Sequence, residues 1–332
     1  MKPKYYITTA IPYANADPHI GFALEILYAD VMARYQRLLG KDVYFLTGTD
    51  EHGQKMMHTA KEAGQLVEEF ASEKSAKYQL LADQWNISNN DFIRTTEDRH
   101  IAGAQEFWKK SLVSGDIYKK TYTGLYCIGC ESFKTEKDLV DGKCPDHHIA
   151  PETVSEENYF FKLSKYQKSL ESLFKKQPDF VYPESRYNEA HNMLKKGLED
   201  VSISRTKEKL SWGVPVPDDD SQVMYVWFDA LTNYITALGW GAKNDTLFKK
   251  YWPADAHVIG KEINRFHSLL WPAMLMSVGV ELPKQIAVHG WITVDNQKMS
   301  KSVGNVINPL ELTQKYPLEA ARYFLMREIQ FD

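Results

Sequence analysis

The sequence predicts an α/β protein whose parallel sheet is interrupted by an inserted module and followed by a short helical tail. Two observations support this fold class. Strand-like apolar runs alternate with helical patterns in both halves of the chain, which is typical of parallel sheets joined by right-handed crossovers. Near residue 116 the pattern changes to short strands and turn residues, and this stretch holds all three cysteines.

The first half begins with a predicted strand at 4–10, which is rich in apolar and β-branched residues. Apolar residues recur at three- and four-residue spacing over 21–40, which predicts a helix, and Gly40 fits its C-terminal cap. A second strand over 41–53 completes a strand–helix–strand unit and implies parallel pairing. Two further helical regions are predicted over 54–83 and 97–113.

Beyond the insert, two segments each predict a strand that runs into a helix. A last strand, a polar loop and a mostly helical end follow them. In order, these segments are 223–238, 256–279, 285–294, 295–305 and 308–329. Within the insert, the segment 158–163, a predicted helix and the segment 186–200 lead back to 201–205. The predicted domains are the first half at 1–115, the insert at 116–205, the second half at 206–294 and the loop with its tail at 295–332.

The composition excludes several classes of protein. The 332 residues carry a net charge of −4, so no overall basic field indicates a nucleic-acid binder. No apolar run is long enough for a membrane span or a signal peptide, so we expect neither. The odd cysteine count argues against a disulfide framework and favours a reduced compartment, with the cytoplasm as the expected location. Neither G-x-G-x-x-G after a strand nor G-x-x-x-x-G-K-[ST] is present, which removes the simplest dehydrogenase and P-loop interpretations.

Two distant motifs suit the binding of phosphate. His19-Ile20-Gly21 stands between the first predicted strand and its helix. A glycine at a helix N-terminus lets an anion approach the backbone N–H groups, and a neighbouring histidine can donate to phosphate. Lys298-Met299-Ser300-Lys301-Ser302 forms a loop that can close over a triphosphate and neutralise its charge. Taken alone, a histidine near a helix start is more often a capping or core residue, and a generic K-x-x-K is more often a solvated basic loop.

The insert carries a pattern typical of structural zinc. Cys127-x-x-Cys130 is followed, after thirteen residues, by Cys144-x-x-His147. Four sulfur and nitrogen ligands with no open position make a structural site. His148 is the alternative to His147 as the fourth ligand, and free thiols are the alternative to a metal. A metal here would hold the insert together and do no chemistry.

The motifs occur, in order, within “TTAIPYANADPHIG”, “FLTGTDEHGQK”, “YCIGCESF”, “DGKCPDHH”, “VSISR”, “YVWFDALTNY”, “HVIGKEI”, “FHSLLWPAM” and “KMSKSVGN”. In these segments the chain resembles the methionyl-tRNA synthetases, a family of class I aminoacyl-tRNA synthetases, along its whole length. The resemblance implies a Rossmann-like nucleotide-binding domain of the class I type, split by a zinc-bearing connective insert. It also implies activation of L-methionine by ATP, with Mg²⁺ accompanying ATP, and transfer of the methionyl group to the 3′ end of tRNA(Met).

The resemblance further implies a set of functional residues. The groups that stabilise charge on the reacting phosphates would be His19, Lys298, Lys301 and Arg205. ATP would be held by His19, Gly21, Gly260, Glu262, Ile292 and Lys301. Methionine would be held by Ile11, Tyr13, Asp50, Trp227, Tyr234, Ile263 and His267. In this set Asp50 supplies a carboxylate for the ammonium group, and the aromatic rings suit a thioether.

The chain departs from the family pattern at several points. Phe22 stands where the first signature usually has a second histidine, and it cannot donate to a phosphate. Either another donor such as Asn15 compensates or adenylation is slow. Glu262 and Leu231 stand where relatives commonly have Asp and Pro. The chain stops at “MREIQFD”, where the family continues into an anticodon-reading bundle. We therefore expect weak transfer to tRNA unless a separate anticodon-binding domain or subunit takes part.

Two other hypotheses come from different functional classes. One is another nucleotidyl transferase of the same superfold, against which the zinc pattern, “SISR” and “YVWFDALTNY” argue. The other is a non-catalytic paralogue that binds tRNA or protein. Phe22 and the missing bundle favour this paralogue, whereas the lysine loop, Asp50 and Arg205 argue against it.

Overall fold

The computed structural model describes residues 2–129, 132–134, 136–146, 148–294, 297–298, 307–329 and 331. The described strands are β1 (Lys4–Thr9), β2 (Asp42–Thr49), β3 (Asp91–Arg94), β4 (Ile117–Cys127), β5 (Ser132–Lys134), β6 (Glu152–Phe161), β7 (Val181–Tyr182), β8 (Val201–Ser202), β9 (Ser204–Thr206), β10 (Gln222–Met224), β11 (Ala256–Gly260), β12 (Ile286–His289), β13 (Thr293–Val294) and β14 (Gln297–Lys298). The described helices are α1 (Ile20–Leu38), α2 (Gln54–Glu62), α3 (Val67–Gln84), α4 (Asp98–Val113), α5 (Gln167–Lys176), α6 (Glu184–Lys195), α7 (Val226–Ala230), α8 (Asn233–Thr236), α9 (Thr246–Tyr251), α10 (Trp271–Ser277), α11 (Pro309–Lys315) and α12 (Leu318–Glu328).

A parallel sheet organises the chain, in the strand order β3-β2-β1-β11-β12-β7. This confirms the predicted α/β fold with a parallel sheet. Chain order runs outward in one direction from β1 to β3 and in the other from β11 to β12. In open sheets of this kind, ligands bind beyond the carboxyl ends of the strands at the point where the order reverses, which here lies between β1 and β11.

The sheet is buried on both faces, as expected for parallel strands. Successive side chains of a strand point to opposite faces, and β1 shows this directly. Tyr6 belongs to one apolar cluster and Ile7 to the other, and both are fully buried. The continuous apolar run of the first strand therefore reflects two cores rather than one.

Helix α1 follows the predicted pattern and begins directly after His19 of the predicted His19-Ile20-Gly21 motif. Its buried positions include Ile20, Leu24 and Leu27, at the spacing of one helical face. The helix ends at Leu38, and Gly40 has φ of +81° just beyond it, so the predicted glycine stop is confirmed.

The helical region predicted over 54–83 is two helices, α2 and α3. Gly64, with φ of +69°, lies between them. The N–H of Gln65 donates to the carbonyl of Ala60 at 3.0 Å, which closes the end of α2. Because the helical pattern of apolar residues continues on both sides of Gly64, the sequence does not indicate the break.

The insert differs from its prediction in two ways. Its strands are not all short, because β4 pairs with β6 antiparallel over ten residue pairs. The order of this second sheet is β5-β4-β6-β8. In addition, β7 lies within the range assigned to the insert but pairs in parallel with β12, so it extends the main sheet. Among the residues described, no helix is both long and apolar enough to span a bilayer.

Candidate active site

Four strand ends bring three predicted site residues and one unpredicted histidine to one edge of the parallel sheet. Asp50 directly follows β2, Ile11 follows β1, Gly260 ends β11 and His289 ends β12. These strands are consecutive neighbours in the sheet, so all four residues lie at its carboxyl edge. This edge is where parallel sheets bind ligands.

His19 is the N-cap of α1, with extended backbone at φ −119° and ψ 168°. Its Nδ1 accepts a hydrogen bond from the N–H of Gly21 at 3.1 Å. A Cβ at position 21 would lie 2.9 Å from the His19 ring, so glycine is needed for the ring to lie against the backbone of residue 21. Because Nδ1 accepts, the neutral ring carries its proton on Nε2, which can donate to an anion at the helix N-terminus.

The segment after the lysine loop returns to the same helix end. The N–H of Ile20 donates to the carbonyl of Ile307 at 3.0 Å. Lys298 is described by its backbone, which pairs with Thr293 in the β13–β14 ribbon. Lys301 lies outside the described residues, so its predicted role stays a prediction.

Several residues of the predicted methionine pocket contact one another around a buried histidine. Tyr234 Oη lies 2.7 Å from His267 Nε2, and His267 Nδ1 lies 3.1 Å from the carbonyl of Ile263. Burial lowers the pKa of His267 to about 4, so the ring is neutral at pH 7. Its Nδ1–H donates to the carbonyl, and Nε2 accepts from the tyrosine hydroxyl.

Trp227 completes this aromatic group. Its ring stacks on Phe266 with centroids 3.9 Å apart and meets His267 edge-on at 6.4 Å. The helical part of the predicted strand–helix segment 223–238 is interrupted between α7 and α8, yet the rings of Trp227 and Tyr234 both contact His267. Aromatic walls around a neutral histidine suit an apolar thioether.

Asp50 and Tyr13 form a second part of the site. An isolated parallel β-bridge joins the two residues, and the N–H of Asp50 donates to the carbonyl of Pro12 at 2.9 Å. The Asp50 carboxylate is 4% exposed and accepts from the His52 N–H at 3.3 Å and from the Thr95 hydroxyl at 3.4 Å. A carboxylate held in this way can bind an ammonium group. Ile11 is partly buried against the neighbouring core.

Gly260 and Glu262 lie together beyond β11. A Cβ at position 260 would lie 2.9 Å from Glu262 Oε2, so glycine allows the carboxylate to fold back over the strand end. Trp291 Nε1 donates to that same oxygen at 2.9 Å, and the Lys261 ammonium lies 3.5 Å from the centre of the Trp291 ring. Ile292, next to Trp291 in the sequence, is partly buried against the apolar cluster that contains Ile7.

Sequence reasoning missed Glu25 and His289 in this part of the site. Glu25 Oε2 lies 3.0 Å from His289 Nε2, and both side chains are buried. Glu25 Oε1 is buried with no hydrogen-bond partner among the described residues. Burial raises the pKa of Glu25, and Glu262 adds to the effect. A glutamate on the apolar face of a predicted helix, one turn after Gly21, was the available signal.

Arg205 lies between the insert and the second half of the chain. It is 5% exposed, and its Nη1 donates to the Ser202 hydroxyl at 3.1 Å and the Ser204 carbonyl at 3.0 Å. Its guanidinium lies over Tyr126 of β4 at 4.5 Å and over Tyr225 at 5.3 Å. The predicted arginine is therefore fixed in orientation by two aromatic rings.

The predicted zinc ligands are described only in part. Cys127 and Cys144 are fully buried, whereas Cys130 and His147 lie outside the described residues. The N–H of His148 donates to the Cys144 carbonyl at 2.7 Å, and the His148 side chain is exposed. Within the described part of the chain, no three His, Cys, Asp or Glu side chains form a metal-binding group.

A family model described as “tRNA synthetases class I (M)” matches residues 5–152 and 147–332. The chain belongs to this family. It is 51% identical over 332 residues to the methionine–tRNA ligase of Thermotoga maritima and 52% identical over 331 residues to that of Clostridium perfringens. These alignments cover 99% of the chain but 52% and 51% of the relatives. The chain thus spans about half the length of these curated relatives.

Solved structures of the family superpose closely on the fold. Mycobacterium tuberculosis methionyl-tRNA synthetase in complex with methionyl-adenylate matches with a TM-score of 0.95 and 45% identity, over 99% of this chain and 65% of that one. The apo form from the same organism matches with a TM-score of 0.83 and 41% identity.

Proposed function

We propose that the chain is a methionine–tRNA ligase, which activates L-methionine with ATP and transfers the methionyl group to the 3′ end of tRNA(Met). The observation that supports the proposal is the order of the elements: Asp50 and Gly260 lie at the carboxyl ends of strands in one sheet, and His19 caps the helix after β1. The Tyr234–His267 hydrogen bond links α8 to the segment after β11. The ammonium group of methionine needs a carboxylate, and its side chain needs an apolar pocket. The phosphates of a nucleotide need hydrogen-bond donors, and its ribose needs a hydrogen-bonding group. The membership of the family supports the same proposal.

In the proposed reaction, a carboxylate oxygen of methionine attacks the α-phosphorus of ATP and pyrophosphate leaves. The chain contributes by positioning and by fixed charge rather than by covalent chemistry. His19 Nε2–H and the α1 N-terminus donate to phosphate oxygens, with Lys298 and Lys301 adding positive charge. Arg205 is assigned to the same task. Mg²⁺ accompanies the ATP substrate.

Substrate binding is divided between two groups of residues. Asp50 binds the methionine ammonium. The thioether lies among the pocket residues Tyr13, Trp227, Tyr234, Ile263 and His267, with Ile11 beside them. Gly260 lets the nucleotide approach the end of β11, Gly21 does so at the helix end, Glu262 accepts from ribose hydroxyls, and Ile292 lies against the adenine.

We also propose one structural zinc ion in the insert. Two fully buried thiols, at the end of β4 and in the turn that contains Cys144, suit a thiolate site. Cys130 and His147 would complete the ligand set. The exposed side chain of His148 makes it the weaker choice for the fourth ligand. The metal would stabilise the fold of the insert.

Methionine-dependent ATP–pyrophosphate exchange tests the proposed function. We expect exchange with methionine and not with leucine or isoleucine. His19→Ala should reduce the rate roughly 10²–10³-fold, the usual cost of losing one transition-state donor. The matched control is His58→Ala, because His58 is an exposed histidine on α2 outside the site. Absence of exchange in the folded wild-type chain would contradict the proposal and favour a non-catalytic binding module.

A further inference from the structure

A buried carboxylate bridges two histidines behind the proposed methionine site. Asp229 Oδ2 lies 2.7 Å from His52 Nδ1, and Asp229 Oδ1 lies 2.7 Å from His100 Nε2. His100 Nδ1 continues the chain of hydrogen bonds to the Thr236 hydroxyl at 2.9 Å. Asp229, His100 and His52 are 0%, 0% and 4% exposed.

The bridge keeps Asp229 ionised in an apolar setting. A buried carboxylate is costly unless each oxygen accepts a hydrogen bond from a well-placed donor. Burial alone raises the pKa of Asp229, but the two histidines outweigh it and lower the pKa to about 2. Each histidine donates one N–H to a different oxygen, so the carboxylate is fixed in both position and rotation.

The two histidines come from separate parts of the fold. His52 belongs to the loop after β2, and its own N–H donates to the Asp50 carboxylate at 3.3 Å. His100 belongs to α4. Asp229 belongs to α7, two residues after Trp227. One carboxylate therefore joins the loop that holds Asp50 to the helix that holds Trp227.

We propose that Asp229 is a positioning residue that sets the separation between Asp50 and the aromatic pocket. This inference rests on the proposed function, in which Asp50 binds the ammonium of methionine and Trp227 contacts its side chain. An amino acid fits both only when the two groups are held a fixed distance apart. Without the bridge, each group still binds its part of the ligand, but the simultaneous fit is lost.

Isothermal titration calorimetry with two ligands tests this positioning. The first is methioninol, which has the amino group and the thioether. The second is the same alcohol without the amino group, which engages only the aromatic pocket. We expect Asp229→Asn to weaken methioninol binding about tenfold, because the charge-assisted bonds that fix the loop are lost. Binding of the deamino alcohol should change less than about twofold, so the affinity ratio of the two ligands narrows.

A pair of substitutions at His52 gives an independent measurement if Asp229→Asn does not fold. His52→Leu removes the donor to Asp229 and should narrow the affinity ratio in the same way. His52→Asn places an amide donor near the position of Nδ1 and should restore most of the wild-type ratio. A residue with only a structural role would show no such rescue in ligand discrimination.

Asp30→Asn is the matched control. Asp30 is also a fully buried carboxylate, bound to Arg34 and Arg322 and placed on the middle of α1. It should leave the affinity ratio unchanged. The inference would be overturned if folded Asp229→Asn kept the wild-type affinity ratio or weakened the binding of both ligands equally. It would also be overturned if Asp30→Asn narrowed the affinity ratio to the same extent. Failure of the wild-type chain to bind methioninol would instead overturn the proposed function and the inference together.

Discussion

Phe22 stands in the first turn of α1, where the family signature usually has a second histidine, and its packing leads to a direct prediction. The side chain is 6% exposed. Its ring meets Tyr78 of α3 edge-on, with centroids 5.1 Å apart and planes inclined at 71°. The residue therefore belongs to the core between the two helices, and we expect Phe22→His to destabilise the chain without accelerating adenylation.

The size of the effect follows from this burial. Burying a phenylalanine contributes about 1.5–3 kcal/mol, and an edge-on aromatic pair adds about 0.5–1.5 kcal/mol. A histidine keeps part of the ring contact but brings two nitrogens into an apolar site. The net loss in free energy of unfolding should be about 2 kcal/mol. For a chain of 332 residues this lowers the unfolding temperature by about 3 °C.

Thermal unfolding and methionine-dependent ATP–pyrophosphate exchange, measured on the same preparations, check this prediction. Phe22→Leu is the control, because it removes the ring without adding a donor. Both variants should lose stability, and neither should gain exchange activity. An increase in exchange of about tenfold or more in Phe22→His alone, with its unfolding temperature unchanged, would refute the reasoning. That result would mean that a missing phosphate donor limits the rate.

Four further results are expected. The pKa of His267 is lowered to about 4 from 6.5 by burial, so the unfolded chain takes up a proton that the folded chain does not, and stability falls as the pH drops from 6.5 towards 4. Urea unfolding at pH 7 and pH 5 measures this loss of stability, and in His267→Gln we expect it to be about 2 kcal/mol smaller than in the wild type. An equal loss of stability in the variant and the wild type would contradict this prediction. Tyr234→Phe removes the 2.7 Å hydrogen bond to His267, so steady-state kinetics should show a several-fold higher KM for methionine at an unchanged KM for ATP. A chelator should lower the unfolding temperature of the wild type but not of Cys127→Ser, and an unchanged wild type would contradict the proposed zinc. Gly48→Ala should cost at least about 2 kcal/mol in urea unfolding, because the new Cβ would lie 2.0 Å from the Ile93 carbonyl oxygen, and wild-type stability there would show that the β2–β3 pairing adapts.

Local patterns predicted much of the fold because they depend on neighbours in the sequence. The first strand, the helix after it and the glycine that ends that helix are all where periodicity and turn chemistry place them. Other elements escaped prediction because they depend on distant partners. The two-residue strand β7 exists only because it pairs with β12, about a hundred residues further along the chain. The break between α2 and α3 was hidden because both helices share one continuous helical pattern.

The candidate site shows the same division between near and distant residues. His19 and Gly21 could be paired from the sequence because their contact spans two residues. Glu25 and His289 are separated by 264 positions, and no pattern near either residue indicates the other. The predicted pocket residues came from the family resemblance, and the structure added the hydrogen bonds that orient them.

By itself, the sequence determined which motifs this protein carries. These are a histidine and a glycine at a helix start, paired cysteines, a lysine loop and the family signature. These depend on residue type and short spacing, which a linear chain displays. Only the tertiary structure decided which groups meet, as when Asp229 binds His52 across 177 positions in the sequence. The reason is physical, since a buried charge is stable only where folding brings its donors to it, and those donors can come from any part of the chain.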